Sequence, residues 1–199
     1  MARDATYTVT IRGIRPLLMH NGQLADPLND YAKELSRLTH KKQKSDEDQI
    51  AVGQAEFQGS LYHDDDVGPY IPVDNLQRML EMGATNQKLG KKFKGVVEVL
   101  LPDEGPPGYR LEYKGPRERV ALWGDKTFVF RKLVKVSQSK VVRTRPRFPS
   151  GWSVTFQVEV LRGGVTKENV EIALRDAGLY TGMGDWIPRY GRFEVVSVK

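Results

Sequence analysis

The sequence of 199 residues contains no cysteine, which excludes disulfide bonds and every reaction that depends on a thiolate. It has no apolar run long enough to span a bilayer, and its first residues, MARDATYTVT, lack the apolar segment of a secretory signal. We therefore expect a soluble, cytoplasmic protein. No Walker loop, nucleophile elbow or zinc-ligand spacing occurs, so the sequence predicts no bound cofactor.

One short stretch does combine residue types that bind metals, namely HDDD at residues 63–66. Consecutive side chains point in different directions, so these four cannot all face one ion. The residues that follow, Val67, Gly68 and Pro69, are typical of a turn. We expect no metal site here.

Positive charge is concentrated in one part of the chain. Residues 110–147 contain twelve basic and three acidic residues, a net charge of +9, whereas the whole chain carries +6 and the remainder −3. Such a segment attracts a polyanion, more often nucleic acid than a membrane surface, and we expect no membrane partner. A solvated basic face with counter-ions is the simpler alternative.

The hydrophobic pattern predicts a mixture of strands and helices. Strands are predicted at residues 5–12, 95–101, 152–160 and 192–198, and a hairpin at about 126–147. Helices are predicted from Pro27 with Asp26 as the cap, from Asp74 to Gly83, and from Thr166 to Ala177. Alternation gathers the hairpin's cations on one side of each arm. Residues 40–49, HKKQKSDEDQ, lack apolar anchors and are predicted to form a mobile loop.

This order is that of an α+β, ferredoxin-like fold, in which helices cover one face of an antiparallel sheet. We predict one domain over residues 1–199. Two insertions are expected, a helical one at about 20–70 and one at about 102–147 that holds the extended β-hairpin. The hairpin could contact nucleic acid or a neighbouring subunit.

The segment TGMGDWIPRYGRF, residues 181–193, combines glycines with aromatic and basic residues. Glycine leaves the backbone accessible, so Gly182, Met183 and Gly184 are predicted to present bare N–H groups to a phosphate or sugar. Arginine neutralises phosphate, and aromatic rings stack on unpaired bases. The alternative is a tight connection in which Trp186 and Phe193 complete the core.

The sequence GMGDWIPRYGRFEV resembles the glycine-rich loop of the repeat-associated mysterious protein (RAMP) superfamily, the ferredoxin-like or RRM-like RNA-binding proteins of CRISPR systems. A second segment, PYIPVDNLQRML, is similar to the place where a proline precedes a capped helix in that superfamily. The resemblance implies RNA binding within a ribonucleoprotein. In the family small residues and a further glycine often follow this position, whereas Arg192 and Phe193 follow Gly191 here. A phage or mobile-element relative is therefore an equal alternative.

We predict a non-catalytic protein that binds single-stranded nucleic acid, RNA rather than DNA, and that can form a homo-oligomer or filament. The predicted binding residues belong to the hairpin and to the glycine-rich loop. They are Arg131, Lys135, Arg143, Arg145, Arg147, Gly182, Met183, Gly184, Trp186, Arg189, Tyr190, Gly191 and Arg192.

Two alternative functions are left open by the sequence. RNA-processing members of the superfamily use a histidine near the first helix, which makes His20 a candidate for the catalytic residue of a metal-independent endoribonuclease. A lone histidine after an apolar run is, however, more often a polar residue that closes a turn. The other alternative is a phage or mobile-element accessory protein that binds a host protein, which would tolerate neutral residues in place of the arginines at 143–147.

Overall fold

The computed structural model of the chain describes residues 5–41, 43–136, 138–161 and 164–199. The strands are β1 (Ala5–Gly13), β2 (Leu17–Leu18), β3 (His63–Asp64), β4 (Gly68–Pro72), β5 (Val97–Val99), β6 (Gly108–Arg110), β7 (Val129–Val136), β8 (Ser139–Phe148), β9 (Ser153–Val160) and β10 (Phe193–Val198). The α-helices are α1 (Asp30–Thr39), α2 (Asp46–Ser60), α3 (Val73–Asn86), α4 (Gly90–Phe93), α5 (Arg119–Gly124) and α6 (Lys167–Asp176). A 3₁₀-helix, Gly22–Ala25, and a π-helical turn, Ala177–Thr181, are also present.

A four-stranded antiparallel sheet lies at the centre of the fold, with the strand order β10-β1-β9-β5. In chain order its elements are β1, α3, β5, β9, α6 and β10, so the third strand lies between the first and second, and the first lies between the third and fourth. This is the ferredoxin-like topology. The predicted α+β fold is thus confirmed.

One face of this sheet is apolar and is covered by α3 and α6. Val154, Phe156 and Val158 of β9 alternate with polar residues and are fully buried. On α6, Val170 and Leu174 lie one turn apart and are also fully buried, which is the spacing of an amphipathic helix. Burial of these side chains orients the sheet and both helices.

Two further groups of elements are added to the central unit. The first lies between β1 and α3 and contains α1 and α2; the second lies between β5 and β9 and contains the hairpin β7–β8. Strand β2 pairs with the C-terminal end of β8, where Leu17 is opposite Phe148. Because β2 follows β1 in the chain, this pairing holds the base of the hairpin next to the end of β1. Strands β3, β4 and β6 form a third, small sheet. No helix in the described ranges is long and apolar enough to cross a membrane.

Two local predictions between β1 and α3 were wrong. The side chain of Asn29, not Asp26, accepts a hydrogen bond from the Tyr31 N–H and caps α1. The predicted loop at 40–49 is helical from Asp46 onward, because Ser45 and Asp48 form a reciprocal capping box. Lys42 of that predicted loop lies outside the described residues.

Candidate nucleic-acid interface

The glycine-rich loop, residues 181–193, packs against the segment that follows β1. The Gly191 N–H donates to the Pro16 carbonyl over 2.8 Å, and the Asp185 N–H donates to the Leu18 carbonyl over 2.9 Å. Within the loop, the Met183 N–H donates to the Gly191 carbonyl over 2.9 Å. The loop is therefore closed both on itself and onto residues 16–18.

This closure corrects the prediction of bare backbone donors. The N–H groups of Met183 and Gly191 are used as above, and that of Gly182 donates to the Ala177 carbonyl over 2.7 Å. Gly191 has a φ of +71°, and a Cβ there would collide with the Met183 carbonyl, so this glycine permits close backbone packing. Met183 itself is buried. Of the three predicted donors Gly182, Met183 and Gly184, only Gly184 is exposed, and its N–H donates to no described residue.

The side chains of the loop form an aromatic cluster with the hairpin. The ring of Phe130, on β7, lies 5.4 Å from the rings of both Trp186 and Tyr190, in edge-to-face geometry. The ammonium group of Lys132 lies 5.6 Å from the centre of the Trp186 ring. Trp186 and Tyr190 are each half-buried, so both rings keep an accessible part. Loop and hairpin thus share one continuous surface.

Trp186 has an unusual backbone conformation. Its φ is +53°, in the left-handed region that a bulky side chain rarely adopts. The side chain of Asp185 accepts a hydrogen bond from the Trp186 N–H over 3.0 Å and supports this conformation. Such outliers cluster at binding sites, where the surrounding structure holds them in place.

The hairpin was predicted to gather its cations on one side of each arm, and the strand register shows that the predicted binding cations of the two arms lie on opposite faces. Directly paired residues of two antiparallel strands share a face. One face carries the pairs Arg131–Thr144, Leu133–Val142 and Lys135–Lys140, and the other carries Phe130–Arg145, Lys132–Arg143 and Val134–Val141. The predicted cations of β7 and those of β8 therefore point in opposite directions.

The predicted basic residues also differ in exposure. Arg131, Lys135 and Arg189 are exposed. Arg192 is half-buried, as is Arg147, whose Nε donates to the Thr127 carbonyl over 3.0 Å. Of the exposed three, Arg189 lies in the loop beside the rings, whereas Arg131 and Lys135 lie on the hairpin face opposite to Phe130. The exposed cation on the Phe130 face is Lys132.

Arg145 does not lie on the surface, contrary to the prediction. Its side chain is only 6% exposed, and its guanidinium group donates to Glu56 Oε1 over 2.7 Å and to Asp185 Oδ2 over 3.0 Å. Glu56, on α2, also accepts from Arg143 over 3.2 Å and from the Thr144 N–H over 2.8 Å. This network joins α2, β8 and the glycine-rich loop, so Arg145 holds the loop rather than a ligand.

His20 lies at the edge of this network. Its Nδ1 is 3.8 Å from Asp185 Oδ2, and its side chain is 44% exposed. Burial, followed by the positive charge of Arg145, lowers the pKa of His20 below its ordinary value of 6.5. The lowered pKa favours the neutral form of the ring, which can accept a proton.

A cleft with a volume of about 400 Å³ opens between the loop, α3 and the segment after β2. Asn75 and Arg78 of α3 line one wall, and Gly184, Asp185 and Trp186 line another. The cleft therefore adjoins the aromatic cluster. Its size and its mixture of apolar and polar groups are typical of ligand sites.

The HDDD segment forms no metal centre in the structure. The His63 Nε2–H donates to the Arg117 carbonyl over 2.8 Å, and the side chain of Asp65 is 95% exposed. In the part of the chain that the structure describes, no group of three or more histidine, aspartate or glutamate side chains could hold a metal ion.

Comparisons with known proteins give a structural match only. No protein-family model matches the chain, and no curated protein matches it in sequence. The fold is similar to that of a chain in the type III-B Cmr-beta complex, a cryo-EM structure with cognate target RNA bound. The TM-score is 0.53 at 10% identity, over 98% of this chain and 59% of the other. The chain thus spans little more than half of that chain's length, and the likeness concerns the fold.

Several residues of this site are not evident from the sequence. Phe130 resembles any core aromatic in a strand, and Glu56 lies in the middle of a helix that the pattern did not predict. Asp185 had a local signal, since it lies between Gly184 and Trp186 in the loop. Its partners Arg145 and His20 are distant in the chain, so only the folded structure brings them together.

Proposed function

We propose that this protein binds single-stranded RNA on the surface formed by the glycine-rich loop and the β7–β8 hairpin, without catalysing a reaction. The observation that carries the proposal is the contact between Lys132 and Trp186, at 5.6 Å, because it joins the basic hairpin to the aromatic loop. Cations beside accessible rings are the combination that unpaired nucleic acid requires.

Each group on this surface has a distinct proposed role. Lys132, on the Phe130 face of the hairpin, and Arg189 of the loop neutralise phosphates beside the rings, since both are exposed. Arg131 and Lys135 are exposed on the opposite face of the hairpin, where they add positive potential. Trp186 and Tyr190 stack on bases. The buried members of the predicted set serve as the framework, and Arg143, Arg147 and Arg192, which are half-buried, add positive potential along the edges.

The choice of RNA, and of a ribonucleoprotein, is supported by the comparison and by the sequence motifs. The Cmr-beta structure that shares this fold has target RNA bound. The motif GMGDWIPRYGRFEV, residues 182–195, follows the last helix and runs into the last strand, β10, which is where the resemblance to RAMP proteins predicts it. We propose that the chain is a distant RAMP relative and a subunit of an RNA-containing assembly.

The strand preference can be tested by fluorescence anisotropy with labelled RNA, DNA and duplex RNA of one sequence. We expect single-stranded RNA to bind tightest and duplex RNA weakest, because a duplex hides its base faces from Trp186 and Tyr190. Equal affinity for duplex and single strand would contradict the role of the rings. If single-stranded DNA bound more tightly than RNA, the proposed binding surface would stand but its ligand would be DNA.

Assembly along RNA can be tested separately. Size-exclusion chromatography with light scattering, with and without RNA, should show one molecule alone and several molecules on a longer strand. A monomer under both conditions would remove the proposed filament but leave RNA binding intact.

The pair formed by His20 and Asp185 favours a second candidate function, metal-independent RNA cleavage. The Asp185 carboxylate, 3.8 Å from His20 Nδ1, is beyond hydrogen-bond distance but near enough to stabilise the ring once it has taken the proton of a 2′-hydroxyl. Cleavage of a hairpin RNA in EDTA, abolished by His20→Ala, would support this function. An intact substrate would exclude it.

A further inference from the structure

Methionine side chains contribute much of the apolar lining of the cleft, and we call this group the methionine floor. The sequence contains five methionines, and four of them, Met19, Met79, Met82 and Met183, line this one cleft. They come from three separate segments: the residue after β2, helix α3 and the glycine-rich loop. Met19, Met79 and Met183 are buried, and Met82 is half-buried.

A methionine floor suits a flat ligand of variable shape. The thioether is polarisable and flexible, so it packs well against aromatic rings and adapts to different outlines. The ring of Tyr62 and the side chain of Ile187 add to the apolar lining, and Trp186 stands at the side that faces the hairpin. A planar, unpaired ring can therefore be enclosed without losing apolar contact.

The polar side chains that line the cleft include His20, Asn75, Arg78 and Asp185, of which Asp185 is held by hydrogen bonds. The Asp185 carboxylate is fixed by Arg145 over 3.0 Å and is an acceptor only. Asn75 supplies an amide, which both donates and accepts, and Arg78 adds an exposed positive charge. Acceptors and donors beside an apolar lining can form hydrogen bonds with the edge of a nucleobase, and the cation can contact the phosphate of the same nucleotide.

From these observations we propose that the cleft receives one unpaired nucleobase of the bound strand. The base lies on the methionine floor, its edge faces Asn75 and Asp185, and Arg78 contacts the adjoining phosphate. This inference rests on the proposed RNA binding and adds to it a subsite that reads a base rather than the backbone. The cleft adjoins Trp186, so a strand on the loop and hairpin passes its mouth.

The test compares an oligoadenylate RNA with an abasic ribose-phosphate strand of equal length, using wild-type protein and two variants that fill the cleft. Asn75→Trp and Met82→Trp place an indole in the cleft from different turns of α3. Val120→Trp is the matched control, because Val120 is 77% exposed and does not line the cleft. Thermal unfolding verifies that each variant is folded. One folded cleft variant is enough to decide the test.

We expect the wild-type protein and Val120→Trp to bind the abasic strand about tenfold more weakly than the oligoadenylate. The cleft variants should bind the oligoadenylate more weakly than wild type does and should lose the part of this discrimination that the cleft provides, while the part due to stacking on Trp186 and Tyr190 remains. Equal binding of both strands by the wild type would overturn the nucleobase subsite, and with it base stacking on Trp186 and Tyr190, while binding of the phosphate chain stands. Full discrimination in a folded cleft variant would overturn it as well, since the base would then be read elsewhere. If neither strand binds, the proposed function itself fails.

Discussion

Arg145 lies between the carboxylates of Glu56 and Asp185, and its side chain is 6% exposed. Removing a charge from water costs free energy, so a buried guanidinium group is tolerated only when carboxylate partners compensate its charge. The same residue type at position 189 is exposed. The two arginines therefore have different roles, one in holding the loop and one on the proposed RNA surface.

Replacing Arg145 should destabilise the protein far more than replacing an exposed arginine. For Arg145→Ala we expect a loss of about 3–5 kcal/mol in the free energy of unfolding, because buried carboxylates would lose their partner. The matched change Arg131→Ala should alter it by no more than about 0.5 kcal/mol. Urea denaturation measures both. Equal effects of the two substitutions would show that the buried network is not formed.

The pH dependence of stability should reflect His20. Its pKa is lowered in the folded state, first by burial and then by Arg145, so the unfolded chain binds the proton more readily. This contribution to stability is present above pH 6.5 and is lost as the pH falls through the lower folded pKa. His20→Gln should therefore lose less stability than wild type between pH 7 and pH 5 (about the range in which histidine titrates). Parallel curves in urea denaturation would contradict this assignment.

Individual side chains show where prediction from the sequence stops. The sequence predicted that Arg189 and Tyr190 belong to a binding surface, and this stays a prediction, although the exposure of Arg189 is compatible with it. It could not predict that Arg145 is buried, because the alternation of β8 says which face a residue takes but not what covers that face. In this case Glu56 and Asp185 cover it.

At the scale of elements, α3 and α6 approach closely at Gly83. A Cβ on Gly83 would collide with the carbonyl of Ala173 on α6, so glycine is required by the contact and not by its backbone angle. The two helices cover the same face of the sheet. Their spacing therefore depends on one missing side chain.

Gly83→Ala should destabilise the protein although alanine is the better helix former. The added methyl group would force the helices apart, and we expect a loss of about 1–3 kcal/mol. Gly124→Ala, in α5, is the control, because a Cβ there meets no atom within 4 Å and should have little effect or a stabilising one. Differential scanning calorimetry measures both. A stabilised Gly83→Ala protein would show that the helices do not touch as described.

The elements of the central unit were the most predictable part. Strict alternation in β9 and a three-to-four spacing in α6 each give one apolar face, and both elements lie close to their predicted bounds. Helix α2 was missed because its first turn is polar, with Asp46, Glu47 and Asp48, while its buried residues lie later, at Ala55 and Phe57. An N-terminal capping box was its only early signal.

At the scale of the whole molecule, the hydrophobic core includes residues from the central sheet and from the added elements. Phe57 of α2 and Phe148 of β8 belong to the same buried cluster as Phe156 of β9. We therefore expect one unfolding transition, seen at the same urea concentration by circular dichroism and by tryptophan fluorescence. Two separate transitions would contradict the prediction of one domain.

The charge of the molecule is also organised on the largest scale. The segment 110–147 carries +9 against −3 for the rest of the chain, and it includes the hairpin beside the glycine-rich loop. The sequence alone identified this segment. It did not identify the cleft, because Met19, Met79 and Met183 come from distant parts of the chain and meet only in the fold.

The most direct test of the proposed RNA surface is the salt dependence of the affinity for single-stranded RNA. Phosphate contacts release counter-ions, so the affinity of the wild-type protein should fall steeply as salt rises. The double variant Lys132→Gln and Arg189→Gln should reduce the steepness of log affinity against log salt by about 1.4. The control Lys91→Gln and Lys92→Gln removes the same number of exposed charges in α4 and should leave the slope unchanged. Equal slopes for the two variants, or no binding at low salt, would contradict the account.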